Sequence, residues 1–322
     1  MLAIRAARTG GPDVLEAVDL PVPEPGPGQL RIRHHAIGLN FIDTYFRSGL
    51  YPARMPAVLG QEGAGVVDAT GEGVEGWAVG DRVYAGQAGA YAEFTVAPAA
   101  RAIRLPDNVS FEVAAAGMLK GMTAEFLLRR CYPLRSGETI LVHAAAGGVG
   151  AILVQWAKAI GAVVIGAVGS EAKAELVRGY GCDHVILYRD EDVAARVREI
   201  TDGKGVPVAY DSVGKDTFEG TLASLARRGV FVSFGNASGP APAVEPIRLM
   251  RAGSLFFTRP TMADYTATRE DLDQSAGALF AVLASGVVKV EIGQTFALSD
   301  ARRAHEALES RATIGSTVLL PG

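Results

Sequence analysis

Cysteine is nearly absent from this 322-residue chain. Only Cys131 and Cys182 occur, too few for a disulfide framework or a cysteine-rich metal lobe. Long apolar runs are missing too: none reaches the ~18 residues of a membrane span, and the opening MLAIRAARTGGPDVLEAVDL lacks the apolar core of a signal peptide. A net charge of −4 leaves no basic footprint for nucleic acid. The histidines (His34, His35, His143, His184 and His305) show no H-E-x-x-H spacing, and adjacent His34 and His35 point to opposite faces of a predicted strand. There is no G-x-S-x-G elbow for a serine nucleophile. Cys131 falls at a helix end without a nearby base, and Cys182 precedes an apolar strand, where a thiol behaves as a small hydrophobe. The expectation is a reduced, cytoplasmic protein without a nucleophile constellation.

Material for a core is plentiful. Hydrophobic residues make up 49% and charged residues 20% of the chain, the balance of a globular protein. The length suggests two domains, because single cores stop growing near ~250–300 residues. Before about residue 110 the chain reads as short strands and turns. GQLRIRHHAIGLN (28–40) and AGVVDATGEGVEGWAVGDRVYAG (64–86) carry strand periodicity with Gly and Asp punctuation. The segment 21–29, PVPEPGPGQ, is too rich in proline for a helix.

From SFEVAAAGMLKGMTAEFLLRR (110–130) onward the texture becomes helical, and strands and helices then alternate. TILVHAA, VVIGAV, HVILY, VPVAYDSVG, VFVSFG and SLFFTR read as strands. VGAILVQWAKAIG, EAKAELVRGYG, EDVAARVREITDGKG and TFEGTLASLARRG read as helices. Nearly all-apolar strands alternating with helices predict a parallel sheet covered on both faces: a doubly wound dinucleotide fold over 121–258. In the tail, TATREDLDQSAGALFAVLASG begins with a capping box from Thr268 to Asp271, SDARRAHEALESR is a helix, and GSTVLLPG a strand. A lone terminal strand needs partners, so it is expected to return to the N-terminal β domain. The expected organisation is 1–120 with 259–322 as one domain and 121–258 inserted as the other.

The turn LVHAAAGGVG (141–150) follows a strand and opens a helix. It departs from strict G-x-G-x-x-G, with Ala145 at the first glycine position. In this context the first amides of the helix meet a pyrophosphate, and the helix dipole favours its charge. An NAD-type site places an acidic residue at the end of the second strand for the ribose 2′-hydroxyl. Here that position falls at Gly169–Ser170, with Lys173 in the next helical turn, and Glu171 serves the helix N-terminus. A hydroxyl and a cation where a carboxylate would repel suit a 2′-phosphate, so the missing acid points to NADPH. On spacing alone Lys173 fits a solvated helix face equally well.

Several stretches together resemble one family: AAAGGVG, AIGLNFIDTYFRSGLYP (36–52), YDSVG (210–214), VSFGNASG (232–239) and ESRATIGS (309–316). It is the zinc-free quinone oxidoreductase, or zeta-crystallin, branch of the medium-chain dehydrogenase/reductases, and the resemblance runs end to end. It implies an α/β protein in which a GroES-like, β-rich catalytic domain is built from both chain ends around a Rossmann domain. It also implies a homodimer. By matching motifs, the NADPH pyrophosphate would lie on Gly147, Gly148 and Val149. The 2′-phosphate would take Ser170, Lys173, Tyr188 and Arg311. Ser212, Phe234, Gly235 and Asn236 would line the cofactor cleft. Phe257, Thr258 and Arg259 would flank the nicotinamide, with Asn40, Ile42 and Asp43 across from it. The bland alternatives are core aromatics at Phe234 and Phe257 and a surface cation at Arg311.

Zinc-dependent relatives hold their metal with a cysteine and a G-H-E motif. Asn40 and Gln61 stand at those positions here, and an amide pair is a poor substitute for thiolate and imidazole. A quinone accepts hydride directly from a nicotinamide, so the cofactor carries the hard chemistry. The protein must hold ring and acceptor within about 3–3.5 Å and stabilise the developing quinol oxyanion. Tyr45 and Tyr51 are the best-placed donors, with Asn40 beside them; ordinary amphipathic packing of both rings is the alternative. The leading function is NADPH-dependent reduction of a quinone. Reduction of α,β-unsaturated carbonyls and a non-enzymatic, crystallin-like NADPH-binding role remain as competitors.

Overall fold

Alternation of buried and exposed side chains builds the first strands, and the computed structural model of the chain describes residues 1–310 and 313–322. The N-terminal part comprises β1 (Leu2–Ala6), β2 (Leu15–Asp19), β3 (Gln29–Leu39), α1 (Phe41–Ser48), β4 (Ala57–Val58), β5 (Gly63–Thr70), β6 (Arg82–Ala85), β7 (Phe94–Pro98) and β8 (Ile103–Arg104). In β3, Leu30, Ile32 and His34 face inward, while Arg33 and His35 face out. The two histidines therefore do point to opposite faces.

The middle of the chain begins with α2 (Phe111–Phe126), which closes in a wider π-helical turn at Leu127–Cys131. It continues with β9 (Thr139–His143), α3 (Gly148–Ile160), β10 (Val163–Val168), α4 (Glu171–Gly179), β11 (His184–Leu187), α5 (Val193–Ile200), β12 (Val206–Asp211), α6 (Phe218–Ser224), β13 (Leu225–Ser233), α7 (Pro246–Arg251) and β14 (Phe256–Thr258). The strands stand in the order β11-β10-β9-β12-β13-β14, and every neighbouring pair is parallel. This is the doubly wound arrangement, with its topological switch point between β9 and β12. Its core holds Leu141, Ile165, Ile186, Ala209, Phe218 and Phe231.

The chain ends with α8 (Met262–Tyr265), α9 (Arg269–Ala284), β15 (Ile292–Ala297), α10 (Ala301–Glu309) and β16 (Ser316–Leu320). In front of α9 the Asp271 amide donates to the Thr268 hydroxyl at 3.1 Å, the first half of the expected capping box, and that hydroxyl donates to the Asp271 carboxylate at 2.6 Å. β16 pairs antiparallel with β3 and parallel with β15, so the last strand does join the N-terminal sheet.

Two compact units result. Met1–Leu119, Thr268–Ala276 and Val290–Gly322 form the first; Lys120–Ala267 and Gly277–Lys289 form the second. The boundaries expected from the sequence place 259–267 and Gly277–Lys289 with the first unit, whereas they cluster with the parallel sheet. The physical reason is aromatic and aliphatic packing on α2: Tyr265 stacks on Phe126 at 4.5 Å between ring centroids, and Leu279 lies against Gly121.

One predicted helix is shorter than its sequence suggests. TFEGTLASLARRG reads as helical throughout, but α6 stops at Ser224 and Leu225 begins β13. Leu225 is buried and pairs with Val206, and the strand passes an irregularity there before regular pairing resumes at Val208. Tertiary pairing overrides local propensity at that point. Among the described residues no helix is long and apolar enough to cross a membrane.

Candidate functional site

In the second unit, the predicted phosphate turn connects β9 to α3. Gly147 is the residue preceding the helix, and no side chain caps that end, so the first amides of α3 remain available to an anion. Ala144 adopts a left-handed backbone with φ of 50°, an arrangement alanine reaches at a cost of about 1–2 kcal/mol. Close approach explains the glycine at 150: a Cβ there would stand 2.3 Å from the Ala144 carbonyl oxygen. The strain thus falls on Ala144, next to the Ala145 that stands at the first glycine position, and tight packing accounts for the later glycine.

At the end of β10 the structure brings Gly169, Ser170 and Tyr188 together. A Cβ on Gly169 would stand 2.5 Å from the Tyr188 hydroxyl and 3.5 Å from Nε of Arg189. Ser170 precedes α4, is exposed, and makes no capping bond with its hydroxyl. Lys173 is half-buried in the first turn of α4. Glu171 is in the first turn of α4, as the sequence suggests, and also pairs with Arg178 at 2.6 Å. Arg189 has no place in the site expected from the sequence, although its position beside Tyr188 was the available signal. Arg311 lies outside the described residues.

Beyond the switch point, the loops after β12 and β13 are knitted by main-chain bonds. Phe234 donates to Asp211 at 2.8 Å, Ala237 to Ser212 at 3.2 Å, and Ser238 to Val213 at 2.8 Å. Ser212, Phe234, Gly235 and Asn236 are therefore neighbours. Asp211 organises the first loop by accepting the amides of Val213 and Gly214 at 2.7 and 3.1 Å. Thr258 ends β14, and the Phe257 ring packs on Phe231 and Phe218 at 5.1 and 6.2 Å. The ring is half-buried and packs against the edge of the core. Arg259 follows, exposed, and donates to the Pro260 carbonyl at 3.3 Å.

In the first unit, α1 carries Ile42, Asp43 and Tyr45, and Asn40 precedes it. Asn40 is buried, and its side-chain amide donates to Glu62 Oε1 at 2.7 Å. The other oxygen of Glu62 accepts the Leu119 amide at 3.0 Å. Asp43 folds back over the helix start and accepts the Asn40 amide at 2.8 Å and the Tyr91 hydroxyl at 2.9 Å. Its carboxylate is turned into the protein, at 1% exposure for the residue. Tyr45 is buried and Tyr51 half-buried; their rings meet edge-on at 5.2 Å, and Tyr51 also contacts Phe46 at 5.6 Å.

The residues fit a 2′-phosphorylated dinucleotide. An uncapped helix start, a glycine-tight turn, and a strand end bearing hydroxyls and cations, with Glu171 paired to Arg178, match its charges. For a metal the fit is poor. Asn40 Nδ2 is engaged with Glu62, and among the described residues no three His, Cys, Asp or Glu side chains are grouped to hold an ion. The free thiols are equally unsuited to nucleophilic work. Burial raises the Cys131 pKa, and burial pushes Cys182 up to about 11.

Comparison with known proteins agrees with this picture. Residues 26–107 match the alcohol dehydrogenase GroES-like domain, and residues 148–281 match the zinc-binding dehydrogenase model. A quinone oxidoreductase of Pseudomonas aeruginosa is 55% identical over 99% of both chains. A 2-haloacrylate reductase of a Burkholderia species is 44% identical over 98% of this chain and 97% of its own. The crystal structure of Escherichia coli quinone oxidoreductase in complex with NADPH superposes with a TM-score of 0.98 at 48% identity, covering 100% of both chains. A GroES-like domain, a Rossmann sheet of order β11-β10-β9-β12-β13-β14 and full-length relatives at this identity leave one assignment: the chain belongs to the zinc-free quinone oxidoreductase branch of the medium-chain dehydrogenase/reductases.

Proposed function

We propose that this protein is an NADPH:quinone oxidoreductase that works without metal. The observation that carries the reading is the end of β10, where Ser170, Tyr188 and Arg189 gather around Gly169 and Glu171 is held by Arg178. The sequence relatives named quinone oxidoreductase and the NADPH complex of the Escherichia coli protein support it.

Bound NADPH would supply the hydride; the protein supplies binding, orientation and charge. The amides of Gly147, Gly148 and Val149 would hold the pyrophosphate. Ser170, Lys173, Tyr188, Arg189 and Arg311 would hold the 2′-phosphate. Ser212, Phe234, Gly235 and Asn236 would line the cleft. Phe257, Thr258 and Arg259 would border the nicotinamide, the half-buried Phe257 ring resting on Phe231. On the acceptor side, Glu62 orients the Asn40 amide, and Ile42 would offer apolar surface. Asp43 acts by fixing the start of α1 rather than by touching the cofactor. Tyr45 and Tyr51 would polarise the acceptor carbonyl, with the final proton drawn from water.

The protein would act as a homodimer in the cytoplasm. Edge strand β14 leaves Phe256 59% exposed, and Met250 nearby in α7 is 57% exposed. An apolar edge of this kind is a liability unless paired, and a two-fold partner would continue the sheet. A second reading, reduction of α,β-unsaturated carbonyls, is favoured by the 2-haloacrylate reductase relative. Steady-state oxidation of NADPH with a panel of quinones and enones tests both. Quinone turnover carries the first reading, turnover of enones alone carries the second, and turnover of neither leaves an NADPH-binding protein.

A further inference from the structure

Around α1 lies a chain of buried polar groups that the proposed reaction does not use. Arg47 is 2% exposed, and Tyr91 and His305 are fully buried. A guanidinium only donates, so Arg47 Nη1 donates to His305 Nδ1 at 2.9 Å. The ring proton must then sit on Nε2, which donates to the Tyr91 hydroxyl oxygen at 3.1 Å. Tyr91 has a single proton, and it goes to Asp43 Oδ2 at 2.9 Å. The same oxygen accepts the Asn40 amide at 2.8 Å. The chain therefore runs one way, from guanidinium to carboxylate, and each member's role is set by the one before it.

Two titrations keep that direction fixed. Burial, then the Arg47 charge, pushes the His305 pKa down to about 3, so the ring is neutral near neutral pH. Burial, then Asp43, raises the Tyr91 pKa well above its ordinary value. The chain is no proton wire, because an arginine is not deprotonated in a protein. What it supplies is position. Asp43 is in the first turn of α1 and Arg47 in the last. Both are tied through Tyr91 and His305, and Arg47 is tied further to Glu309 of α10 at 2.6 Å and to the Gly10 carbonyl at 3.2 Å. Tyr45 lies between the two anchors.

We propose that Arg47, His305 and Tyr91 are positioning residues: their one-way chain to Asp43 locks α1, and with it Asn40 and Tyr45, in the orientation that acceptor reduction requires. This rests on the assignment of α1 to the acceptor side.

His305→Leu and His305→Gln separate position from mere stability. Glutamine accepts from Arg47 through its oxygen and donates to Tyr91 through its amide nitrogen, so it keeps the direction of the chain; leucine breaks it. For His305→Leu, kcat is expected to fall about ten- to a hundredfold, as misplacement by about an ångström does elsewhere. Its affinity for NADPH, measured by calorimetry, should stay unchanged, and amide exchange across α1 should quicken. His305→Gln should restore most of each loss. If the leucine variant does not fold, Tyr91→Phe removes only the hydroxyl and is expected to show the same pattern more weakly. Wild-type kcat, KM and α1 exchange in every folded variant would overturn the proposal. Wild-type protein that turns over no quinone would instead sink the acceptor assignment, while the exchange pattern still decides whether the chain locks α1.

Discussion

The side-chain amide of Asn40 donates to Oε1 of Glu62 at 2.7 Å, and both residues are buried. In the zinc-dependent relatives the position of Asn40 is a metal ligand. Here the amide bonds a carboxylate that also receives the Leu119 amide at 3.0 Å, so the site is filled by hydrogen bonds. Extensive dialysis against a chelator is expected to leave activity intact. Stoichiometric zinc, lost together with activity, would contradict this. Glu62→Ala removes the acceptor of the buried Asn40 side-chain amide and of the Leu119 amide, and should destabilise the protein by about 1–3 kcal/mol in urea unfolding.

Cofactor choice depends on the end of β10. Ser170→Asp places a carboxylate where the Tyr188 hydroxyl and Arg189 converge over Gly169. Arg189→Gln and Lys173→Gln each remove one cation. Charged hydrogen bonds contribute about 1.5–3 kcal/mol each, so each substitution should raise the Kd for NADPH roughly tenfold or less, because exposed charges are screened. The Kd for NADH should hardly move. Equal effects on both cofactors would remove these residues from the 2′-phosphate site.

Tyr45 and Tyr51 make a further test. If either phenol polarises the acceptor, its Phe variant should lose kcat with NADPH affinity unchanged. Loss of an oxyanion donor costs ~10²–10³-fold elsewhere; for a reactive quinone with water at hand, a loss of about tenfold is expected. Ala at either position should also raise the acceptor KM, because the edge-on contact of the two rings at 5.2 Å shapes that wall. If all four variants behave as wild type, neither tyrosine belongs to the site.

Buried histidines set the acid limit of stability. Burial pushes His34 to about 4 and His305 to about 3, against an ordinary value of 6.5, and burial lowers His143 as well. Between these values the unfolded chain binds protons that the folded chain refuses, so stability rises with pH there. It should be complete above about 6.5 and decline as the pH falls toward 4 and then 3. Each tenfold weakening of a ring's proton affinity on folding corresponds to ~1.4 kcal/mol, so several kcal/mol disappear on acidification. Urea midpoints measured across this range should drop in the wild type and drop less in His305→Gln. A flat profile would contradict the assignment of neutral buried rings.

Much of this was legible in the sequence, because strand and helix periods are local. The apolar runs from Thr139 to Thr258 pointed to the parallel sheet, and Gly147 and Ser170 to the starts of α3 and α4. The boundary at Ser224 was not legible, since only the pairing of Leu225 with Val206 ends α6. Nor was the inward turn of Asp43 or the bond between Arg47 and His305. Arg47 and His305 are 258 residues apart, and neither carries a local pattern that announces the other. The contacts of the Phe257 ring with Phe231 and Phe218 were not legible either, because β13 and β14 meet only in the folded sheet.

The most direct test of the central claim is steady-state consumption of reduced nicotinamide by chelator-treated protein, with a simple quinone present or absent and with NADPH compared against NADH. Quinone-dependent turnover is expected, with kcat/KM for NADPH at least about tenfold above that for NADH, as one charged hydrogen bond would produce. No quinone-dependent consumption, or equal use of the two cofactors, would contradict it.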